Sequence, residues 1–273
     1  MVLESILRPK NAEDKPWHVF AIAFIYTFIS IFFAYKLFPE QSSILTIALI
    51  TIIFVPFFQR LFVFEEKKDE LVARRKMKRN LFARHGAVIS VFSMFFLGIV
   101  VAMSLAFVFV PEFKDVFVLQ SETLRGFSSA ATAQATGSSE FATFFYNNTQ
   151  VMILMFILSA MLGAGAVFIL AWNASVIAVY VGLFVQSLIG KGLSSGVAYL
   201  YGLPVSLGSI ALHGIPEIVA YFFAGIAGGI LSVGILREKF NSKEFSLVFK
   251  DSLIFLGIAE LLIFVAALVE TVF

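Results

Sequence analysis

The residues able to do chemistry in this chain are few, and the least expected ones stand inside apolar sequence. Residues 207–236 read LGSIALHGIPEIVAYFFAGIAGGILSVGIL, long and apolar enough to cross a bilayer. They carry His213, Pro216 and Glu217. An imidazole and a carboxylate four residues apart share one helix face. In hydrocarbon such groups must pair, bind something or line water. Pro216 removes a backbone donor, which frees carbonyls to turn toward the same place. Glu260 sits well inside a second apolar run, and Asn147 with Asn148 opens a third.

Two readings of these residues stay open. In the first, His213, Glu217 and Glu260 cross-link helices, because polar contacts between helices are common glue in lipid. In the second, they line a polar cavity that opens outward and serves a transporter or channel. A third reading, an intramembrane hydrolase, is disfavoured by its ligands. HGIPE lacks a second histidine at i+4, and the other two histidines, His18 and His85, stand at span ends. No nucleophile elbow accompanies a serine. No catalytic residue, metal ligand or cofactor is therefore expected. With no cysteine, neither a disulfide framework nor a thiolate metal site can form.

Composition names the solvent. Of 273 residues 60% are hydrophobic and only 14% charged, Phe occurs 34 times, and the mean hydropathy is +0.94. A water-soluble fold of this size cannot hide so much apolar surface. The expected fold is all-α, a polytopic transmembrane bundle of about seven spans. The spans are expected near 17–38, 43–64, 86–110, 148–171, 174–190, 207–236 and 247–269. Pro56 and Gln59 are expected to kink or end the second. The fourth and fifth are expected to pivot at Trp172 and Asn173. The first apolar run is too long, and too closely preceded by proline and charge, for a cleavable signal peptide.

Charge sets the orientation. Residues 65–85 read EEKKDELVARRKMKRNLFARH and hold Lys67, Lys68, Arg74, Arg75, Lys76, Lys78, Arg79 and Arg84. By the positive-inside rule this segment, and with it the N-terminus, is cytoplasmic. The spacing of its apolar residues predicts an amphipathic connecting helix that touches anionic lipid or docks a partner. Nucleic acid is not expected, because no aromatic or glycine-rich recognition pattern accompanies the charges. Residues 111–139 leave the membrane, and SSAATAQATGSS at 128–139 fits a flexible loop or a re-entrant segment.

This topology gives the polar residues one depth. At ~1.5 Å per residue, His213 and Glu217 lie roughly 10 and 15 Å along the sixth span, and Glu260 roughly 20 Å along the seventh. Together with Asn147 and Asn148 they share a zone beneath the outer face. Gly225, Gly228 and Gly229 in AGIAGG predict close helix packing, not a dinucleotide loop.

Three stretches resemble the stage II sporulation protein M family of integral membrane proteins. FFYNNTQVMILMFILSAMLGAG (144–165) resembles its paired-asparagine span, AWNASVIAVYVG (171–182) the following turn, and LHGIPEIVAYFFAGIAGG (212–229) its histidine, glutamate and small-residue span. The family usually has Asn-Gly where this chain has Asn173-Ala174. The resemblance implies a polytopic helical protein without assigned enzymatic chemistry, with family positions at Asn147, Asn148, Asn173, His213, Gly214 and Glu217. The namesake is a scaffold in a membrane complex with peptidoglycan-degrading partners, and relatives occur in organisms that make no spores. The resemblance covers the chain from about residue 84. Residues 1–83 are accordingly expected to form a two-span hairpin with the basic segment, and 84–273 a family domain of about five spans. The chain is expected in the plasma membrane, in contact with lipid and other envelope proteins, as a non-enzymatic scaffold or accessory subunit. Its apolar faces leave homo-oligomerisation open.

Overall fold

In the computed structural model, residues 7–75, 81–133 and 137–272 are described. Among them nine α-helices and two 3₁₀ turns follow one another without a strand. The helices are α1 (Pro9–Asp14), α2 (Trp17–Leu37), α3 (Ser42–Arg75), α4 (Leu81–Phe109), α5 (Val118–Ala133), α6 (Gly137–Leu162), α7 (Ala166–Gly190), α8 (Ser195–Arg237) and α9 (Lys243–Val272). Seven of them, all but α1 and α5, carry segments long and apolar enough to cross a membrane. The expected polytopic bundle is what the chain forms.

Bundle packing decides which helix is central. In α8, 78% of the most apolar window is buried, against 17% in α6. The glycines of α8 explain this. A Cβ at Gly225 would meet Ala166 of α7 at 2.9 Å, and one at Gly228 would meet the Phe156 carbonyl of α6 at 2.4 Å. One at Gly229 would strike the Phe62 ring of α3 at 2.4 Å. Three successive small residues thus admit three different neighbours, the close approach that lipid-embedded helices use in place of a hydrophobic drive. A Cβ at Gly214 would instead meet only Ile210 Cβ, on the same helix, at 4.0 Å.

Aromatic packing completes the interior. Phe58 lies 4.7 Å from Phe92 and 5.0 Å from Phe95, centroid to centroid, and Phe54 lies 4.8 Å from Phe95. These edge-on and tilted contacts lock α3 to α4. One continuous apolar core runs from Leu7 to Ile263, so the first two spans and the rest share a single interior.

The structure corrects several boundaries. The turn between the fourth and fifth spans is at 163–165, not at Trp172 and Asn173, which lie within α7. Gly163 adopts φ +76°, a left-handed conformation that favours glycine. Gln59 donates to the Leu162 carbonyl at 3.1 Å, and the Ala166 amide donates to Ser159 Oγ at 3.2 Å. Both groups freed at this turn are thereby satisfied. Asn173 stays helical because its amide donates to the Ile169 carbonyl at 2.8 Å, one turn back. Gln59 does not end α3, nor does Pro56. That helix runs on to Arg75.

The other corrections lengthen helices. α8 begins at Ser195 and incorporates Pro204, where a connection was expected, and reaches 43 residues. At ~1.5 Å per residue it measures roughly 65 Å, about twice the hydrocarbon thickness. Residues 118–133 are helical, whereas a loop or re-entrant segment was expected from 128. The rest of that stretch falls partly on 134–136, outside the described residues. The connecting helix expected over 65–85 is split between the ends of α3 and α4, and Lys76, Lys78 and Arg79 also lie outside the described residues.

Candidate functional site

The ionisable residues gather at the two ends of the bundle. Chain direction assigns the ends. The starts of α2, α4, α7 and α9 and the ends of α3, α6 and α8 share the side of the N-terminus; the other termini mark the far side.

On the far side, α6, α8 and α9 meet through Asn148, Tyr221 and Glu260. α6 and α8 run in the same direction there, which brings the middle of α6, at Asn148, against the middle part of α8, at Tyr221. Tyr221 is fully buried, and its hydroxyl donates to Asn148 Oδ1 at 3.2 Å. The Asn147 amide lies 3.4 Å from the same oxygen. One residue on, the Thr149 hydroxyl donates to Glu260 of α9 at 3.2 Å. Glu217 interacts electrostatically with Tyr221, one turn below it, and with Glu270. Ser252 of α9 donates to the Ala227 carbonyl of α8 at 3.0 Å, closer to the N-terminal side.

Of the residues singled out by type and spacing, the structure brings Asn147, Asn148, Glu217 and Glu260 into this zone. His213 is half-buried and makes no hydrogen bond with a described residue. Asn173 belongs elsewhere: it lies early in α7, near the N-terminal side, and bonds its own helix. Pro216 is accommodated inside α8 without ending it. An open groove on α8, lined by Gly196, Tyr199, Leu200, Leu203 and Pro204, lies a few turns from these polar groups.

A second polar group, on the N-terminal side, was not expected as a network, although Lys68 and Arg84 were named from the sequence as docking residues. Lys68 of α3 contacts Glu13 of α1 at 2.5 Å and also pairs with Glu65 on its own helix. The Glu65 carboxylate lies 2.8 Å from His85 Nδ1 on α4, and His85 Nε2 lies 3.6 Å from Asp251 on α9. Arg84 donates to Asp251 at 2.7 Å through one nitrogen and pairs with its other oxygen through a second. Such a two-point guanidinium–carboxylate contact is the strong form of this bond. Glu65, His85, Arg84 and Asp251 are all buried. Arg84 was expected to meet lipid or a partner; buried against Asp251, it is not available to either. Lys67 is exposed.

Next to this network, Glu66 and Glu70 of α3 and Glu238 after α8 bring carboxylate oxygens within 4.8 Å of one another. Arg237 Nε pairs with Glu66 at 3.0 Å, so a guanidinium supplies positive charge there. The signal for both groups was the run of charges at 65–85, which holds Glu65, Glu66, Lys68, Arg84 and His85 but not their partners Glu13, Asp251 and Arg237.

Fold and site together define a polytopic α-helical membrane protein whose spans are tied at both ends by polar side chains. The chain matches the Stage II sporulation protein M family over residues 87–273 and belongs to that family. Comparison with curated proteins and with solved structures returned no match.

Proposed function

We propose that this protein is a non-enzymatic scaffold or accessory subunit of a plasma-membrane complex, with its N-terminus in the cytoplasm. The observation that carries the reading is the Tyr221–Asn148 contact. A fully buried phenol donates its hydroxyl to another helix. Glu260 is engaged in the same way through Thr149. Polar groups used as interhelical ties make a rigid platform, and a platform with wide apolar outer faces suits assembly with other membrane proteins. The basic residues at the end of α3 favour a cytoplasmic N-terminus.

One observation favours a transporter instead: His213 is half-buried and makes no hydrogen bond with a described residue. The two readings separate on the variants His213→Ala and Glu217→Gln. A scaffold loses thermal stability or recovery of its complex, while liposomes containing the native protein show no ion flux above protein-free vesicles. Flux through the native protein that both variants abolish while remaining folded overturns the scaffold.

A further inference from the structure

Among the described residues, the ion pairs on the N-terminal side hold more carboxylates than permanent cations: Glu13, Glu65 and Asp251 face Lys68 and Arg84. The sixth member, His85, bridges Glu65 and Asp251 and adds a charge only when protonated. All but Lys68 are nearly sealed from water, the Glu13 side chain being 8% exposed and those of Glu65, His85 and Asp251 at most 2%. A net negative charge held in such a place is costly.

We propose that this network is a proton-binding site that fastens α1 to the bundle: one proton, shared among Glu13, Glu65 and His85, balances the group, and its loss loosens α1. The geometry makes α1 the element that yields. The other five members stand on α3, α4 and α9, whose spans are anchored along their length by the core. α1 has six residues, and Ala12 and Glu13, with Leu7 just before the helix, are its links to that interior among the described residues. The groups facing Glu13 are Glu65 and Lys68 from α3, then His85 and Arg84 from α4 and Asp251 from α9 behind them. α2, which also packs on α1, contributes no ion pair among the described residues, and neither do Lys10 and Asp14 of α1 itself.

Burial, with the Glu65 carboxyl beside it, raises the Glu13 carboxyl from 4.5 to about 7, against the opposing pull of Lys68. A carboxyl whose pKa rises on docking binds its proton more tightly when docked. Docking is therefore strongest below pH 4.5 and weakens as pH rises to about 7, where the effect levels off. Within that window the docking equilibrium falls about tenfold per pH unit.

The test uses the full-length protein in lipid nanodiscs. The chain lacks cysteine, so spin labels at Lys10→Cys and Lys239→Cys, both exposed, report the distance from α1 to the end of α8 without background. A control pair, Tyr146→Cys with Lys191→Cys, reports the far side. Going from about pH 5 to about pH 8, the first pair gains a second, broader distance population while the control pair stays fixed, and the docking equilibrium falls by about two orders of magnitude. Glu13→Gln leaves two carboxylates against two permanent cations, so in that variant the first pair keeps one narrow distance at both pH values. A first pair that does not change with pH overturns the proposal. So does a change that Glu13→Gln fails to suppress, or one the control pair shares.

Discussion

Asp251 and Arg84 form the tie with the most at stake for a single residue. Both side chains are buried, and each neutralises the other. Removing one partner strands a charge in a poorly hydrated place. Asp251→Ala should therefore lower stability by about 3–5 kcal/mol, whereas Glu260→Gln, whose site is half-buried and whose hydroxyl contact the amide can still accept, should cost about 1 kcal/mol or less. Thermal unfolding in one detergent compares the two, and equal losses would contradict the assignment. This residue scale was where the sequence was least legible. Arg84 stands among seven other basic residues of one segment, and its neighbours describe a solvated surface. Its partner lies 167 positions away, and nothing local marks that pairing. His85 and Glu65 are 20 apart on different helices, equally silent. His213, Glu217 and Glu260 were visible because a polar residue in an apolar run contrasts with its own surroundings.

At the scale of elements, helix identity was legible wherever an apolar run exceeded a membrane's thickness, and connections were not. Small residues serve close packing and turns alike. Gly163, Ala164 and Gly165 form the turn, because Gly163 takes a positive φ there. Trp172 and Asn173 read as a turn, yet α7 absorbs them once Asn173 bonds its own backbone. The same ambiguity is resolved for α8 by what surrounds each glycine. Gly228→Ala would press a methyl into the Phe156 carbonyl and should cost about 1–3 kcal/mol. Gly214→Ala meets nothing closer than Ile210 Cβ at 4.0 Å and should be neutral or stabilise by up to about 1 kcal/mol. Denaturation of the pair in the same lipid checks both, and a destabilised Gly214→Ala with an unaffected Gly228→Ala would reverse the reading of this helix.

For the whole molecule, the spans before the family-matched segment are not an appendage. Phe54, Phe58 and Phe62 of α3 fill the space beside Phe92 and Phe95 of α4. A chain starting at residue 84 would uncover those rings. It should elute as aggregate on size exclusion where the full chain elutes as one species, and a well-folded shortened chain would show that the shared core is dispensable. The platform reading rests on polar ties that join separate helices into one body, and one of them can be weighed directly. In a double-mutant cycle of Asn148→Ala with Tyr221→Phe, measured by reversible unfolding in bilayers, the two sites should show a coupling of about 0.5–1.5 kcal/mol. Strictly additive losses would mean that the buried phenol and the asparagine do not hold α6 to α8, and would contradict the account.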